Sequence, residues 1–221
     1  MKKTLLFSFI VLSFVKTSFA QGIVSKIPAR PFVPENVSNM EGTPYLANDF
    51  SKGTFYLADG KSVDNMLIRL NLHKERVTYK DEKGMELLPT DPINKFTIEE
   101  NGKMLTFQKG FPAIEKFDAS TYYEVLNKKG IPMVLKKRTK TLLSRREYNS
   151  SKVTDNYLDG TKYFVFDETS KISKLKTDKN SLGLYFPNKQ NEVAAYITKE
   201  KLSLKNDDDL AKVFDYYISI K

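Results

Sequence analysis

Alternating apolar and polar residues dominate the first two thirds of the chain, and this pattern predicts β-strands. It is clearest in Gly53–Leu88, where runs rich in Phe, Tyr, Val, Ile and Leu are separated by turns at Asp59-Gly60 and Lys83-Gly84. Within Met66–Leu72 the even-numbered residues are all apolar, and two of the three odd-numbered ones are polar. A half-buried strand has this alternation, and apolar runs that end in Asp-Gly or Lys-Gly are typical of antiparallel hairpins.

Further strands are predicted beyond this stretch, with turns at Asn101-Gly102 and Lys129-Gly130. The segments are 96–98, 104–108, 113–117, 121–126, 133–137, 163–166 and 172–176, and less regularly 140–146. Ser150–Gly160 is polar and rich in turn residues, which predicts a loop. About eight to ten strands joined to their sequence neighbours predict a mainly β (α+β) protein. We expect an antiparallel meander that forms a curled sheet, half-barrel or roll.

The apolar period changes to that of an α-helix after residue 176. Asn188 and Asn206 are candidate caps for two helices, and Asp207–Asp209 place negative charge in the first turn of the second one. The apolar stripes are Val193, Tyr196 and Ile197 in the first helix and Leu210, Val213, Phe214, Tyr217 and Ile218 in the second. We therefore expect a β domain over 45–176 and a small C-terminal helical unit over 177–221, packed on the sheet or beside it.

Residues 1–20 have the organisation of a secretory signal peptide. Two lysines precede the apolar run Leu5–Val15, and small residues occupy the −3 and −1 positions before Gln21. The run is too short to span a bilayer. We therefore expect a periplasmic or secreted protein whose mature chain begins at Gln21 and has no transmembrane segment. Residues 21–44 contain four prolines and predict an extended leader.

The residue inventory excludes several kinds of chemistry. The chain has no cysteine, so thiol catalysis and disulfides are excluded and the mature domain must depend on its hydrophobic core. With His73 as the only histidine, we expect no zinc site, and we predict no metal and no cofactor. His73 lies in the predicted hinge between two strands. No Gly-x-Ser-x-Gly motif accompanies it, and we interpret it as a solvent-facing turn residue.

The segment Lys128–Arg146 carries eight basic residues and no acidic one. Without the three signal-peptide lysines, 33 of the 36 basic residues remain against 27 acidic ones, so the charge of this segment exceeds the mature net charge of about +6. The candidate ligand-binding residues are Lys136, Lys137, Arg138, Lys140, Arg145 and Arg146. Strand alternation would direct Lys136 and Arg138 to one side and Lys137 to the other.

Such a basic patch favours an anionic component of the cell envelope as partner: a lipid headgroup, lipopolysaccharide or an acidic glycan. The segment lacks the interleaved aromatic residues on which single-stranded nucleic acids stack, which disfavours nucleic acid. The alternative is the solvated face of a strand pair, whose lysines protect a sheet edge from aggregation.

The chain has the motif Gly42-Thr43-Pro44-Tyr45-Leu46 followed by Phe50, and an LRYN-like strand in which Leu70 replaces the tyrosine. Its C-terminal part contains Leu184–Lys189 and the pair Tyr216-Tyr217. These motifs resemble those of exported proteins from Bacteroidota. The resemblance implies export and a bacterial origin, and it implies no activity and no site residues.

Taken together, these features predict a non-catalytic binding or structural protein of the bacterial cell envelope. The alternative is a secreted hydrolase that uses His73 with a serine or carboxylate partner. The two hypotheses differ in the expected surroundings of His73. An enzyme would place it in a cleft within hydrogen-bond reach of such a partner, whereas a binding protein would leave it exposed and alone.

Export can be tested directly on protein from the native host. The signal-peptide pattern predicts that mass spectrometry will find a mature chain that starts at Gln21. An intact Met1 on soluble cytoplasmic protein would contradict this prediction.

Overall fold

One β-sheet forms most of the structure. A computed structural model describes residues 27–34, 40–146, 153–178, 181 and 183–221, and the predicted signal peptide lies outside these residues. Twelve strands belong to the sheet. They are β1 Ala29–Pro31, β2 Met40–Glu41, β3 Ser51–Tyr56, β4 Ser62–Asn71, β5 Arg76–Lys80, β6 Glu86–Pro89, β7 Lys95–Glu100, β8 Lys103–Gln108, β9 Tyr123–Val125, β10 Met133–Arg146, β11 Val153–Phe166 and β12 Ile172–Lys174. The predicted mainly β fold class is confirmed.

β3 lies inside the sheet, with β4 on one side and β7 on the other. The strand order is β1-β6-β5-β4-β3-β7-β8-β9-β10-β11-β12, and β2 pairs with β11 outside this path. The β2–β11 pair is parallel, and the other pairs are antiparallel. Four strands lie between β4 and β10 in the sheet order, yet the turn between β4 and β5 contacts β10. This contact shows that the sheet is strongly curled. The predicted curled antiparallel sheet is therefore present, and the pairing of β3 with β7 joins the hairpins β3–β6 to the strands that follow.

The prediction of a loop at Ser150–Gly160 is wrong for its described part. β10 and β11 form a continuous antiparallel ladder that runs from Met133 opposite Phe166 to Arg146 opposite Val153. The far half of this long hairpin extends beyond the main core, and several of its side chains face solvent on both sides. Its composition is therefore polar, although its backbone is fully paired as a strand.

The predicted strand at 113–117 is also wrong. Its only pairing among the described residues is an isolated bridge between Ile114 and Phe117. Pro112 precedes the segment, and Glu115 has a φ of 53°, which lies outside the β region. The segment is instead a compact turn that directs Phe117 into the core.

A large apolar cluster covers one side of β3–β8. Its fully buried members include Phe55, Ile68, Leu70, Phe96, Ile98 and Phe107. The ring of Phe96 stacks on Phe107 with centroids 5.4 Å apart. Gly53 allows β3 to fit closely between its neighbours, because a Cβ atom there would lie 2.1 Å from the carbonyl oxygen of Thr97. A side chain at this position would therefore push β3 away from β7.

Arg69 of β4 connects the segment before β3 to the sheet. The guanidinium of Arg69 lies between the rings of Tyr45 and Phe50, 4.2 and 4.5 Å from their centroids. Arg69 also forms an ion pair with Glu86, which accepts a hydrogen bond of 2.6 Å from Thr78. Cation–π and charge-assisted contacts of this kind attach the segment 45–50 to the sheet. These residues therefore have a structural role.

Two α-helices pack on the side of β10 and β11 that faces away from the β4–β5 turn. They are α1 Gln190–Lys199 and α2 Asp207–Ile220, and a 3₁₀ turn at Gly183–Tyr185 precedes them. Asn206 caps α2 as predicted, since its side chain accepts a hydrogen bond of 3.1 Å from the backbone N–H of Asp209. The prediction of Asn188 as the cap of α1 is wrong, because the N-cap is Lys189 and Asn188 has a φ of 64°. No helix among the described residues is long and apolar enough to cross a membrane.

The apolar face of α2 packs on the sheet. Leu210, Val213, Phe214 and Tyr217 are buried, together with Val134 and Val165 of the long hairpin, in a second apolar cluster. The ring of Phe186 contacts Phe214 and Tyr217, with centroids 5.0 and 4.9 Å away. The helical unit is thus part of the folded core and does not stand beside the sheet.

Removal of the Phe214 ring should therefore be costly. Phe214→Ala is expected to lower the free energy of unfolding by about 3–5 kcal/mol, because it leaves a cavity under α2. Leu184→Ala is the control, since Leu184 is 78% exposed and its truncation should cost less than about 0.5 kcal/mol. Denaturant unfolding measures both changes, and equal small changes would show that the helical unit does not stabilise the sheet.

Candidate functional site

The sheet divides between β8 and β9. These strands pair only at Phe107 with Glu124 and at Gln108 with Tyr123. After Val125 the chain leaves β8 and follows β10, where the N–H of Leu126 donates to the carbonyl of Val134 over 2.9 Å. The first four residues of β8 therefore lack a neighbouring strand on this side. A cleft of about 840 Å³ occupies the space, bounded by β8, the chain after β9 and the N-terminus of α2.

Hydrogen bonds hold the wall of the cleft that lies opposite β8. The side chain of Asn127 donates to the carbonyl oxygens of Gly130 and Pro132, each over 3.0 Å, and accepts from the N–H of Val134 over 2.7 Å. The N–H groups of Lys128 and Lys129 donate to the carboxylate of Asp215 on α2. These bonds tie the wall to both β10 and the helix, so the cleft is part of the folded architecture.

Arg138 of β10 crosses the inner end of the cleft. Its Nε donates to Glu124 over 2.7 Å and its Nη1 donates to Glu100 over 3.0 Å. Burial by itself would lower the pKa of Arg138, but the two carboxylates outweigh this effect and raise it. The guanidinium is therefore charged and held in a fixed orientation between β7 and β9.

The N-terminus of α2 supplies a second set of ion pairs at the cleft mouth. Asp207 pairs with Lys136 and accepts a hydrogen bond of 2.8 Å from the hydroxyl of Tyr163. Asp208 pairs with Lys103 of β8. Burial, followed by the bond to Asp207, raises the pKa of the Tyr163 hydroxyl. A neighbouring pocket of about 360 Å³ shares Lys103, Asp207 and Asp208 with the cleft.

The formal charges that line the cleft balance, with four acidic and four basic side chains, but two of the basic ones form no ion pair among the described residues. Each of its four acidic residues, namely Glu100, Glu124, Asp207 and Asp208, already contacts a basic side chain. Lys95 and Lys128 also line the cleft, and within the described part of the chain neither forms an ion pair. The Lys95 ammonium lies 5.1 Å from the ring centroid of Tyr56. Two exposed cations thus remain available to a ligand.

Lys137 points to the other side of β10, where it is buried. Its side chain is 1% exposed, forms an ion pair with Glu75 and donates to the carbonyl of Tyr122 over 3.2 Å. Glu75 lies in the turn between β4 and β5 and accepts a hydrogen bond of 2.8 Å from the N–H of Tyr122. Burial lowers the pKa of Lys137 and raises that of Glu75, although each partner opposes the shift of the other.

Four of the candidate basic residues have described side chains, and these four do not form an exposed patch. The side chains of Lys136, Lys137, Arg138 and Lys140 are only 12, 1, 23 and 12% exposed. Each of them contacts a carboxylate, that of Lys140 being Asp159 at 2.6 Å. The predicted alternation is present, since Lys136 and Arg138 face the helix side and Lys137 faces the β4–β5 turn. The side chains of Arg145 and Arg146 lie outside the described part of the structure.

The carboxylates that pair with these cations could not be identified from the chain alone. Glu124 is 14 residues from Arg138, and Asp207 is 71 residues from Lys136. No local pattern links positions at these separations. The one usable signal was the Asp207–Asp209 cluster, which predicts a helix N-terminus and says nothing of its partner in the sheet.

His73 is half-buried, which corrects the prediction of a solvent-facing residue. Its Nδ1 lies 2.9 Å from the carbonyl oxygen of Lys140, and its ring is 5.3 Å from that of Tyr157. It lines a cavity of about 60 Å³. Among the described residues, no serine hydroxyl or carboxylate is within hydrogen-bond distance of its ring. His73 therefore docks the β4–β5 turn on the long hairpin.

Comparison of the chain with protein-family models, curated proteins and solved structures yields no match. Among the described residues, no group of three or more His, Cys, Asp or Glu side chains is arranged to hold a metal ion. The cleft is therefore interpreted from its own geometry.

The buried pair predicts an asymmetric mutational response. Lys137→Met leaves the Glu75 carboxylate without its cation and is expected to cost about 3–5 kcal/mol of unfolding free energy. The double variant Lys137→Met/Glu75→Gln should recover most of this loss, because it removes both buried charges together. Urea unfolding provides the measurement.

An exposed ion pair serves as the control for this experiment. Lys212→Met removes a partner of Asp209 on the surface of α2, where the lysine side chain is 56% exposed, so the change should stay below about 1 kcal/mol. A loss for Lys137→Met as small as that for Lys212→Met would contradict the structural role of the buried pair.

Proposed function

We propose that this protein is a non-catalytic binding protein of the bacterial cell envelope that holds an anionic ligand in the cleft between β8, β9 and α2. The observation that carries the proposal is the division of the sheet, which leaves a cleft of about 840 Å³ lined by oriented ion pairs. Ligand pockets commonly have volumes of about 300–1,000 Å³. Export and bacterial origin enter this proposal from the N-terminal sequence and the motif resemblance alone.

Two lysines of the cleft lining that form no ion pair among the described residues support an anionic ligand. Arg138, Lys136 and Lys103 are bound to carboxylates, and these pairs give the lining its fixed shape. Lys95 and Lys128 add two exposed positive charges at the rim. A ligand carboxylate or phosphate can approach these ammonium groups without breaking an existing ion pair. Such rim charges contribute mainly to the rate of association and to the salt dependence of binding.

The second candidate is a secreted hydrolase that uses His73. One observation favours it: contact of Nδ1 with a backbone carbonyl fixes the ring and leaves Nε2 free to act as a base. However, the cavity at His73 has a volume of only about 60 Å³, which admits a water molecule or two and no substrate of ordinary size. The larger cleft is therefore the stronger basis for a function.

Binding can be tested with probes that represent the proposed ligand classes. A sulfated chondroitin tetrasaccharide and phosphatidylglycerol vesicles represent the acidic glycan and the lipid headgroup, and maltotetraose is the uncharged control. An anionic probe should perturb backbone amide resonances of the cleft lining in ¹⁵N–¹H spectra, and its affinity should fall as salt rises. Perturbation by maltotetraose alone, or perturbation confined to the surroundings of His73, would contradict the proposal.

A matched pair of variants tests the rim charges. Lys95→Gln/Lys128→Gln should weaken binding of the anionic probe on the order of 10- to 30-fold, at about 1 kcal/mol for each lysine. Lys83→Gln/Lys171→Gln removes the same charge from exposed turns away from the cleft and should leave affinity within about twofold. An equal loss in both variants would show attraction by net charge only.

A further inference from the structure

The edge of β8 carries backbone groups that have no partner in the described structure. β8 pairs along its whole length with β7, whereas β9 reaches only Phe107 and Gln108. Lys103–Thr106 are therefore an open edge inside the cleft. A short open edge is common at the border of a sheet. This one lies in the interior of the strand order, between two strands that belong to the same sheet.

The turn before β8 determines which groups face the cleft. Asn101 and Gly102 have φ values of 51° and 77°, as in a type I′ hairpin, so Glu100 and Lys103 are a hydrogen-bonded pair. The hydrogen bond from the N–H of Lys109 to the carbonyl of Asn94 fits this pattern, because Lys109 is also an odd-numbered residue that bonds toward β7. The backbone N–H and C=O groups of the odd-numbered residues of β8 therefore bond to β7. Those of the even-numbered residues point in the plane of the sheet toward the cleft.

Three backbone groups on this edge are therefore free to form hydrogen bonds with an added strand. They are the N–H and C=O of Met104 and the N–H of Thr106, none of which bonds to a residue in the described part of the chain. The hydrogen bonds of Asn127 and Asp215 keep the opposite wall away from this edge. The edge is thus held open by specific interactions and is not closed by the neighbouring chain.

We propose that the cleft receives an extended acidic peptide segment of a partner protein, which adds to β8 as an extra strand. The proposal rests on the binding function assigned to the cleft above and names its ligand class. A strand beside β8 would bond to Met104 and Thr106 and present side chains alternately to the two sides of the sheet. The exposed ammonium groups of Lys95 and Lys128 give the rim a positive charge that matches acidic side chains.

The side chains beside the edge suit such a peptide. Leu105 belongs to the border of the main apolar cluster, and Val125 and Leu126 lie across the cleft from it. Met104 is 56% exposed on the other side of β8. The flexible thioether chain of Met adapts to different partner side chains. Alternating apolar and acidic residues therefore fit both sides of the added strand.

A synthetic peptide can test strand addition on the whole protein. The probe is acetyl-Thr-Val-Glu-Val-Glu-Thr-amide, added to ¹⁵N-labelled protein. We expect saturable shifts of the Met104 and Thr106 amide resonances and slower hydrogen exchange at both N–H groups. A peptide with lysine in place of glutamate should bind at least fivefold more weakly. Binding of the two peptides with equal affinity would overturn the acidic specificity.

Backbone bonding is tested with a second probe that leaves the protein unchanged. Methylation of alternate backbone nitrogens keeps every side chain and removes the N–H groups that pair with β8, so affinity should fall at least tenfold. The variant Thr106→Pro removes one N–H of the edge without removing a bond to β7, and it should also lose the peptide. Equal binding of the methylated probe would overturn strand addition even where the proline variant fails to fold.

The chondroitin tetrasaccharide separates this proposal from the broader one. If the tetrasaccharide perturbs the cleft and the acidic peptide does not, strand addition is overturned and the binding function stands. If the tetrasaccharide, the phosphatidylglycerol vesicles and the peptide all leave the cleft unperturbed, both proposals are overturned. If the peptide binds and the methylated peptide does not, strand addition is supported.

Discussion

The curled arrangement of the sheet depends on a buried ion pair between Lys137 and Glu75. The lysine belongs to β10 and the glutamate to the turn between β4 and β5, so the pair joins strands that are distant in the sheet order. Two buried charges cost desolvation free energy, which only good geometry and added hydrogen bonds can offset. Tyr122 supplies both, because its N–H binds Glu75 and its C=O accepts from Lys137. Next to the pair, His73 contacts the carbonyl of Lys140 and extends the same docking surface.

The cleft follows from the two-sided role of β10. One face of this strand is held by the β4–β5 turn through Lys137, while Lys136 and Arg138 on the other face bind the helix and the neighbouring strands. β9 is too short to bridge β8 and β10 along their whole length. Since β10 is fixed on both faces, it cannot shift toward β8 to close the gap. The sheet therefore remains divided, and the division creates the proposed binding site.

Ion pairs within the fold neutralise much of the positive charge of the basic segment Lys128–Arg146. Most of the described cations of the segment form ion pairs within the fold, whereas Lys95 and Lys128, which line the cleft, form none among the described residues. A strand added to β8 would gain backbone hydrogen bonds from a fixed edge, while the rim charges would select acidic side chains. Affinity and selectivity would thus come from different groups, which can be altered separately.

Local patterns determined the elements of this fold, and tertiary contacts decided how they meet. Alternation predicts β4 and β7, Asn101-Gly102 predicts its hairpin, and Asn206 predicts the start of α2, because each signal depends on residues a few positions apart. The same local reasoning took a paired strand at 153–160 for a loop, since a hairpin that extends beyond the core needs few apolar residues. Local reasoning also predicted that the basic side chains of Lys128–Arg146 are exposed. Only the folded chain brings Glu124 and Asp207 to Arg138 and Lys136, because ion pairs across such sequence separations leave no periodic signal.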